Sequence, residues 1–240
     1  MKVAMLRVGI DSGSGGLQGP LFKDGSFEFI PIPDKFEKLG VNEQTYGNTT
    51  GRKNRKLIEY FPQARRDAMA SQPIHLDPEF ESFTYGDPTP PKAGLRHLEK
   101  GDMLIFYCGL EGWDQRSAPA LYLIGYFEVL AAGRADSFDE EQVQTLFAKN
   151  FHVRHRRVFE KQRNELVLVK GSEQSRLLET AVCISKLGRD KNGLPLKVLS
   201  PEMQKIFGTF GGKLSFQRSP TRWVDPDHVE SAARYMRLLS

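Results

Sequence analysis

Cysteine, histidine and tryptophan are all scarce in this chain of 240 residues, which holds two Cys, five His and two Trp. Cys108 and Cys183 lie in strand-like apolar runs, LIFYCGL and TAVCIS. Thiols so placed usually act as small buried hydrophobes, so no disulfide framework is expected and the protein reads as cytoplasmic. Neither Cys has a second Cys nearby, which excludes the H-x-E with P-C-x-x-C signature of zinc deaminases. The histidines give one close pair, His152 with His155, inside a basic run that would repel a cation. No metal and no other cofactor is therefore expected. Long hydrophobic runs are missing too. The longest, Ala118 to Ala132, is broken by Gly125 and Glu128 and is too short for a membrane span. Met1 and Lys2 lead directly into an apolar strand, so no signal peptide is expected. Nor does one charge sign dominate, since 34 Lys and Arg face 30 Asp and Glu for a formal charge of +4.

What is present begins with RVGIDSGSGGLQGPLF, from Arg7 to Phe22. Val3, Met5, Val8 and Ile10 read as a buried first strand, and Asp11 is the first ionisable group past its end, where strand-end sites sit. Gly13, Gly15, Gly16 and Gly19 let the backbone bring its N–H groups close to an anion. The simpler reading is a tight turn. A P-loop would need Lys and Ser or Thr after the second Gly, where this chain has Leu17, Gln18, Gly19 and Pro20. A dinucleotide fingerprint fails because Gly19-Pro20 breaks the helix it should open. A nucleophile elbow fails as well, because Asp11-Ser12-Gly13-Ser14-Gly15 lacks the G-x-S-x-G spacing.

The other elements mix strand and helix without a βαβ period. Phe27 to Ile32 alternates and ends in prolines, as an edge strand would. MLIFYCGL from Met103 and ALYLIGYFEVL from Ala120 to Leu130 read as long strands, and Glu165–Lys170 and Thr180–Ser185 as short ones. Helices are expected over 138–149, after the Ser200 cap and Pro201, and after Asp225-Pro226. These elements predict an α+β fold with a mostly antiparallel mixed sheet or small β-barrel and flanking helices. Residues 34 to 93 stand apart as a long irregular insertion in a single domain spanning 1–240.

Two segments could carry chemistry beside the glycine loop. HVRHRRVFEKQR, from His152 to Arg163, sets Arg154, Arg156, Arg157, Lys161 and Arg163 against one acid, a composition suited to phosphate contacts or to a solvated helix face. HLDPEFESFTYGDP, from His75 to Pro88, concentrates His75, Asp77, Tyr85 and Asp87. If it folds against Asp11, a metal-independent enzyme of glycosidase or transferase type becomes possible, since paired carboxylates can share acid and base roles. Asp11 would then be the base or a ribose-binding acid. Arg7, Ser12, Gly13, Ser14, Gly15 and Gly16 would hold the ligand, with His75, Asp77, Tyr85 or Asp87 as catalytic partners. Trp113 sits in the polar loop GLEGWDQRS, where a ring is available to stack on a base. The remaining strand aromatics are expected in the core.

The stretches RVGIDSGSGGLQGPLFKDGSFEFIPIPD, FTYGDP and LRHLEKGDMLIFYCGLEGW resemble the nucleotide modification associated domain 3 family over nearly the whole chain. The resemblance implies a bacterial or phage context of DNA base modification, with nucleic acid or a nucleotide as partner and DNA-modification operon proteins as neighbours. The centre, with Lys100-Gly101-Asp102 and Gly125 to Val129, is similar to the EVE and ASCH branch of PUA-like barrels. That likeness implies a pocket for a flipped, modified base. The primary expectation is recognition of nucleic acid or a modified nucleotide, with the enzyme as the alternative and a purely structural or partner-binding role as a third class.

Overall fold

A computed structural model describes residues 1–13, 15–34, 44–216 and 220–239. The chain is α+β. The amino-terminal part runs β1 (Val3–Arg7), β2 (Gly19–Leu21), β3 (Ile32–Pro33), α1 (Gln63–Ala70), β4 (Ile74–His75) and β5 (Thr84–Asp87). The long strands β6 (Met103–Gly112) and β7 (Ala120–Arg134) follow, then α2 (Glu140–Phe147), α3 (Phe151–Arg154) and α4 (Arg156–Gln162). The remainder is β8 (Val167–Gly171), β9 (Arg176–Cys183), the hairpin β10 (Ser185–Arg189) and β11 (Pro195–Leu199), α5 (Pro201–Phe207), β12 (Arg222–Trp223) and α6 (Val229–Leu238).

One sheet dominates, with strand order β12-β1-β6-β7-β8-β5, β2 also pairing with β6 and β9 with β7. β1 and β2 pair with β6 in parallel, and the sheet's other pairs are antiparallel. Of the two expected forms it is the open mixed sheet that is realised; the strands do not close into a barrel. The sheet nevertheless curls. Phe106 on β6 and Tyr85 on β5 stand three strands apart in the order, about 14 Å in a flat sheet, yet their ring centroids are 6.0 Å apart. Register shifts in β7, between Leu123 and Gly125 against β9 and between Val129 and Ala131 against β8, provide the bend, as bulges do. The curl encloses Phe106, Phe127 and Phe80 in edge contacts of 4.6 and 5.5 Å.

Local signals held where they were strongest. The Ser200 hydroxyl accepts the Met203 N–H, Pro201 opens α5 and Gly208 at φ 75° ends it. Asp139 caps α2 in a capping box with Gln142. On α6, Val229, Ala232, Ala233 and Met236 are buried, as the spacing predicts. Two expectations are corrected. Phe27 to Ile32 does not form an edge strand: Phe27 makes a single bridge to Leu21, and regular pairing is confined to Ile32–Pro33 against Ile74–His75. Pro31 and Pro33 lack the N–H groups a longer ladder needs. Cys183 is exposed at the end of β9, where the apolar alternation gives out, while Cys108 is buried; both are free thiols. Within residues 44–93 a second cluster forms around Tyr46, Leu57, Tyr60, Phe61 and Ile74, joined by Ile10 and Ile30. It clamps β4 against the loop after β1. Among the described residues no helix is long and apolar enough to cross a membrane.

Candidate active site

His75 ends β4, and Asp77 follows two residues later. The backbone N–H of Gly86 on β5 donates to both Asp77 oxygens, at 3.1 and 2.8 Å, and so fixes the carboxylate plane. From the other side α3 brings in His152, buried to 2% exposure. Asn150 caps that helix, its Oδ1 accepting the His152 N–H at 3.1 Å. The two imidazoles meet with their Nε2 atoms 3.2 Å apart across 77 residues of sequence. Asp77 Oδ2 lies 3.5 Å from His152 Nε2 and 3.9 Å from His75 Nε2.

Both rings are held from behind. His152 Nδ1 is 2.7 Å from Gln162 Oε1 on α4; since Oε1 only accepts, Nδ1 is assigned the proton and Nε2 keeps its lone pair. His75 Nδ1 faces the buried Asp34 at 3.8 Å, and its ring stacks on Phe151 at 4.0 Å between centroids. Burial opposes charge on His75, but Asp34 and Asp77 outweigh it and push the imidazolium pKa up to about 9.

These groups line a cavity of about 510 Å³, within the usual range for small-ligand sites. Its opposite wall is the end of β1 and the loop beyond. Arg7 Nη2 pairs with Asp11 Oδ2 at 3.1 Å, and the Gly13 N–H donates to Asp11 Oδ1 at 2.8 Å. The rim comes from β5 and the turn after it. The Tyr85 hydroxyl donates to Asp87 Oδ2 at 3.0 Å, and the Thr89 N–H donates to Asp87 Oδ1 at 2.7 Å. Burial, helped by the charges of Asp87 and Asp77, raises the Tyr85 phenol well above its ordinary range. Burial lowers the Lys92 ammonium, with Asp87 pulling the other way. The cavity therefore joins two imidazoles and two buried carboxylates, Asp34 and Asp77, to Arg7, Lys92, Asp11 and Asp87.

The structure brings Arg7, Asp11, His75, Asp77, Tyr85 and Asp87 to one cavity. Ser12, Gly13, Gly15 and Gly16 stay outside its wall. Gly15 and Gly16, at φ 93° and 75°, turn the chain, and the Arg65 guanidinium occupies the space a Gly16 side chain would need. Ser12 and Gly13 are exposed, and Ser14 lies outside the described residues. Trp113 lines a separate depression with Gln18 and Arg66, its ring edge-on to Tyr60 at 5.2 Å. Arg154, Arg156, Arg157, Lys161 and Arg163 are all exposed on α3, α4 and the residue after α4, the segment whose inner side supplies His152 and Gln162. Arg156 pairs with Glu160 at 2.8 Å, and Arg154 lies over the Phe151 ring. Sequence reasoning missed Asp34, Lys92, His152 as an inward group, and Gln162. The available signal was weak: apolar Phe151 and Val153 flank His152 inside a charged run.

A family model described as nucleotide modification associated domain 3 matches residues 2–238. No curated protein and no solved structure matches the chain. The family match does not extend to the EVE and ASCH likeness of the centre.

Proposed function

We propose, starting from a chain that belongs to the nucleotide modification associated domain 3 family, that this cavity holds a nucleotide or a nucleic-acid base and modifies it. The observation that carries this reading is the convergence of Arg7 and Asp11, from the end of β1, with His75, Asp77 and Asp87 in one cavity. A strand-end acid facing buried imidazoles provides groups able to accept and return a proton. Arg7 and Lys92 supply positive charge for a phosphate or a developing oxyanion. The exposed cations of α3 and α4 lie on the outer side of the segment that lines the cavity, so phosphates gripped there would present a neighbouring base inward.

Recognition without turnover is the second reading. It is favoured by that same exposed basic face, which needs no chemistry to bind a backbone. Mass spectrometry of nucleotides co-purifying with the protein, then of nucleosides and DNA carrying modified bases after incubation with it, separates the two. Modification predicts a mass change that Asp11→Asn slows at least tenfold. Retention of an unaltered nucleotide by both proteins supports recognition, and neither retention nor a mass change would refute both readings.

A further inference from the structure

His75, Asp77 and His152 converge with the two imidazole Nε2 atoms within hydrogen-bond reach of each other and the Asp77 carboxylate just beyond such reach of both. Asp77 Oδ2 stands 3.5 and 3.9 Å from the two Nε2 atoms, too far for a good hydrogen bond to either, while the nitrogens face each other at 3.2 Å. A triangle with those sides has a circumradius of about 2.1 Å, the length of a bond from a divalent metal to imidazole nitrogen or carboxylate oxygen. One point between the three atoms is thus at bonding distance from all of them.

The surroundings are those of a ligand set. His152 turns Nδ1 to Gln162 Oε1 at 2.7 Å behind it, His75 points Nδ1 toward Asp34 Oδ1 at 3.8 Å, and both aim Nε2 inward. Outer partners of this kind fix the tautomer and ring orientation of metal-binding histidines. The Asp77 carboxylate is itself oriented by the Gly86 N–H. All three residues border the cavity, so the coordination sphere keeps an open side toward a substrate.

We propose that His75, Asp77 and His152 form a binding site for one first-row divalent transition-metal ion, with open positions facing the cavity. Two nitrogens and one oxygen favour ions such as zinc, cobalt or iron(II) over magnesium and calcium, which prefer all-oxygen shells. Metal binding stands on the ligand geometry alone; that the ion acts on a nucleotide rests on the function proposed above. In that role it polarises a bound oxygen of the substrate or a water beside Arg7 and Asp11.

Titration of the chelator-stripped full chain with cobalt(II) chloride, read by calorimetry and by visible absorption, tests the site. Expected are one ion per chain with visible bands of nitrogen and oxygen ligation, at least tenfold weaker binding in His152→Ala and in Asp77→Ala, and no binding of magnesium at the same concentration. Circular dichroism establishes that each variant is folded. Gln162→Ala leaves all three ligands in place and is expected to weaken cobalt binding 10- to 100-fold, as loss of an outer partner does. Absence of a one-to-one cobalt complex in the wild type, or unchanged binding in folded His152→Ala and Asp77→Ala, overturns the proposal. Cobalt binding without any change to a nucleotide leaves the metal site standing and removes the modifying function. Modification that persists in excess chelator, with no cobalt bound, does the reverse.

Discussion

Gly86→Ala probes the site through a single methyl group. Gly86 pairs with Leu168 across β5 and β8, its N–H orients Asp77, and its missing side chain makes room for His152. A Cβ there would stand 2.9 Å from Asn150 Oδ1, 2.9 Å from His152 Cδ2 and 3.2 Å from Leu168 Cδ2. Comfortable carbon contacts begin at about 3.5 Å, so the neighbours must retreat by roughly half an ångström or more. They have little room to do so. Asn150 and His152 are buried at 0% and 2% exposure, bonded to each other at 3.1 Å, and His152 is held by Gln162 at 2.7 Å. Overpacking of this kind costs about 1 to 3 kcal/mol, which in a chain of this length lowers Tm by roughly 2 to 12 °C. The same displacement carries His152 Nε2 off the circle it shares with His75 and Asp77, so cobalt affinity is expected to fall about 10- to 100-fold. Gly13→Ala is the control, since its Cβ would meet only Asp11 Oδ1, at 3.4 Å. Calorimetric melting of both variants, followed by cobalt titration, checks this. A Gly86→Ala protein that melts with the wild type and binds cobalt equally well would refute the packing argument.

Charge reversal at Arg154, Arg156 and Arg157 is expected to weaken DNA binding and to flatten its dependence on salt, by about 0.9 in log–log slope for each phosphate that is no longer neutralised; fluorescence anisotropy at several salt concentrations measures both. Equal slopes in wild type and variant would place the DNA-binding cations elsewhere. Burial raises the pKa of Glu28, although backbone N–H groups of Lys53 and Arg52 oppose it. Because the folded state holds this proton more tightly, the stabilisation is complete below the ordinary carboxyl range and is lost as pH rises through the elevated pKa. Urea midpoints from pH 4 to 8 should therefore decline less steeply in Glu28→Gln than in the wild type. The buried Tyr46 hydroxyl donates to the Pro31 carbonyl at 2.7 Å. Tyr46→Phe should cost about 0.5 to 1.5 kcal/mol in urea unfolding, and an unchanged midpoint would show that this bond contributes nothing.

The central strands were legible because continuous apolar runs such as MLIFYCGL suit strands covered on both faces, and Met103 to Leu110 are indeed buried throughout. A helix start was legible at Ser200 because a cap lies within three residues of the N–H it satisfies, whereas the helix expected over 138–149 opens only after the Asp139 cap, at Glu140. The family, too, was readable from the residues around the glycine loop and the β6 strand, and the match over 2–238 bears that out. Pairing signals fade with distance along the chain. His152 looked like one member of a basic run because its sequence neighbours are cations; only the packing of α3 against β4 and β5 turns it inward to His75, while Arg154, Arg156 and Arg157 remain outside. Asp11 offered the same ambiguity between a capped turn and a site residue, and it holds the turn while also lining the cavity. Local propensity fixes where strands and helices begin and end. Whether residues 77 positions apart bring their nitrogens to 3.2 Å is set by the curl of the sheet and by the second apolar cluster that clamps β4, and both are sums of long-range contacts that no short window of sequence contains.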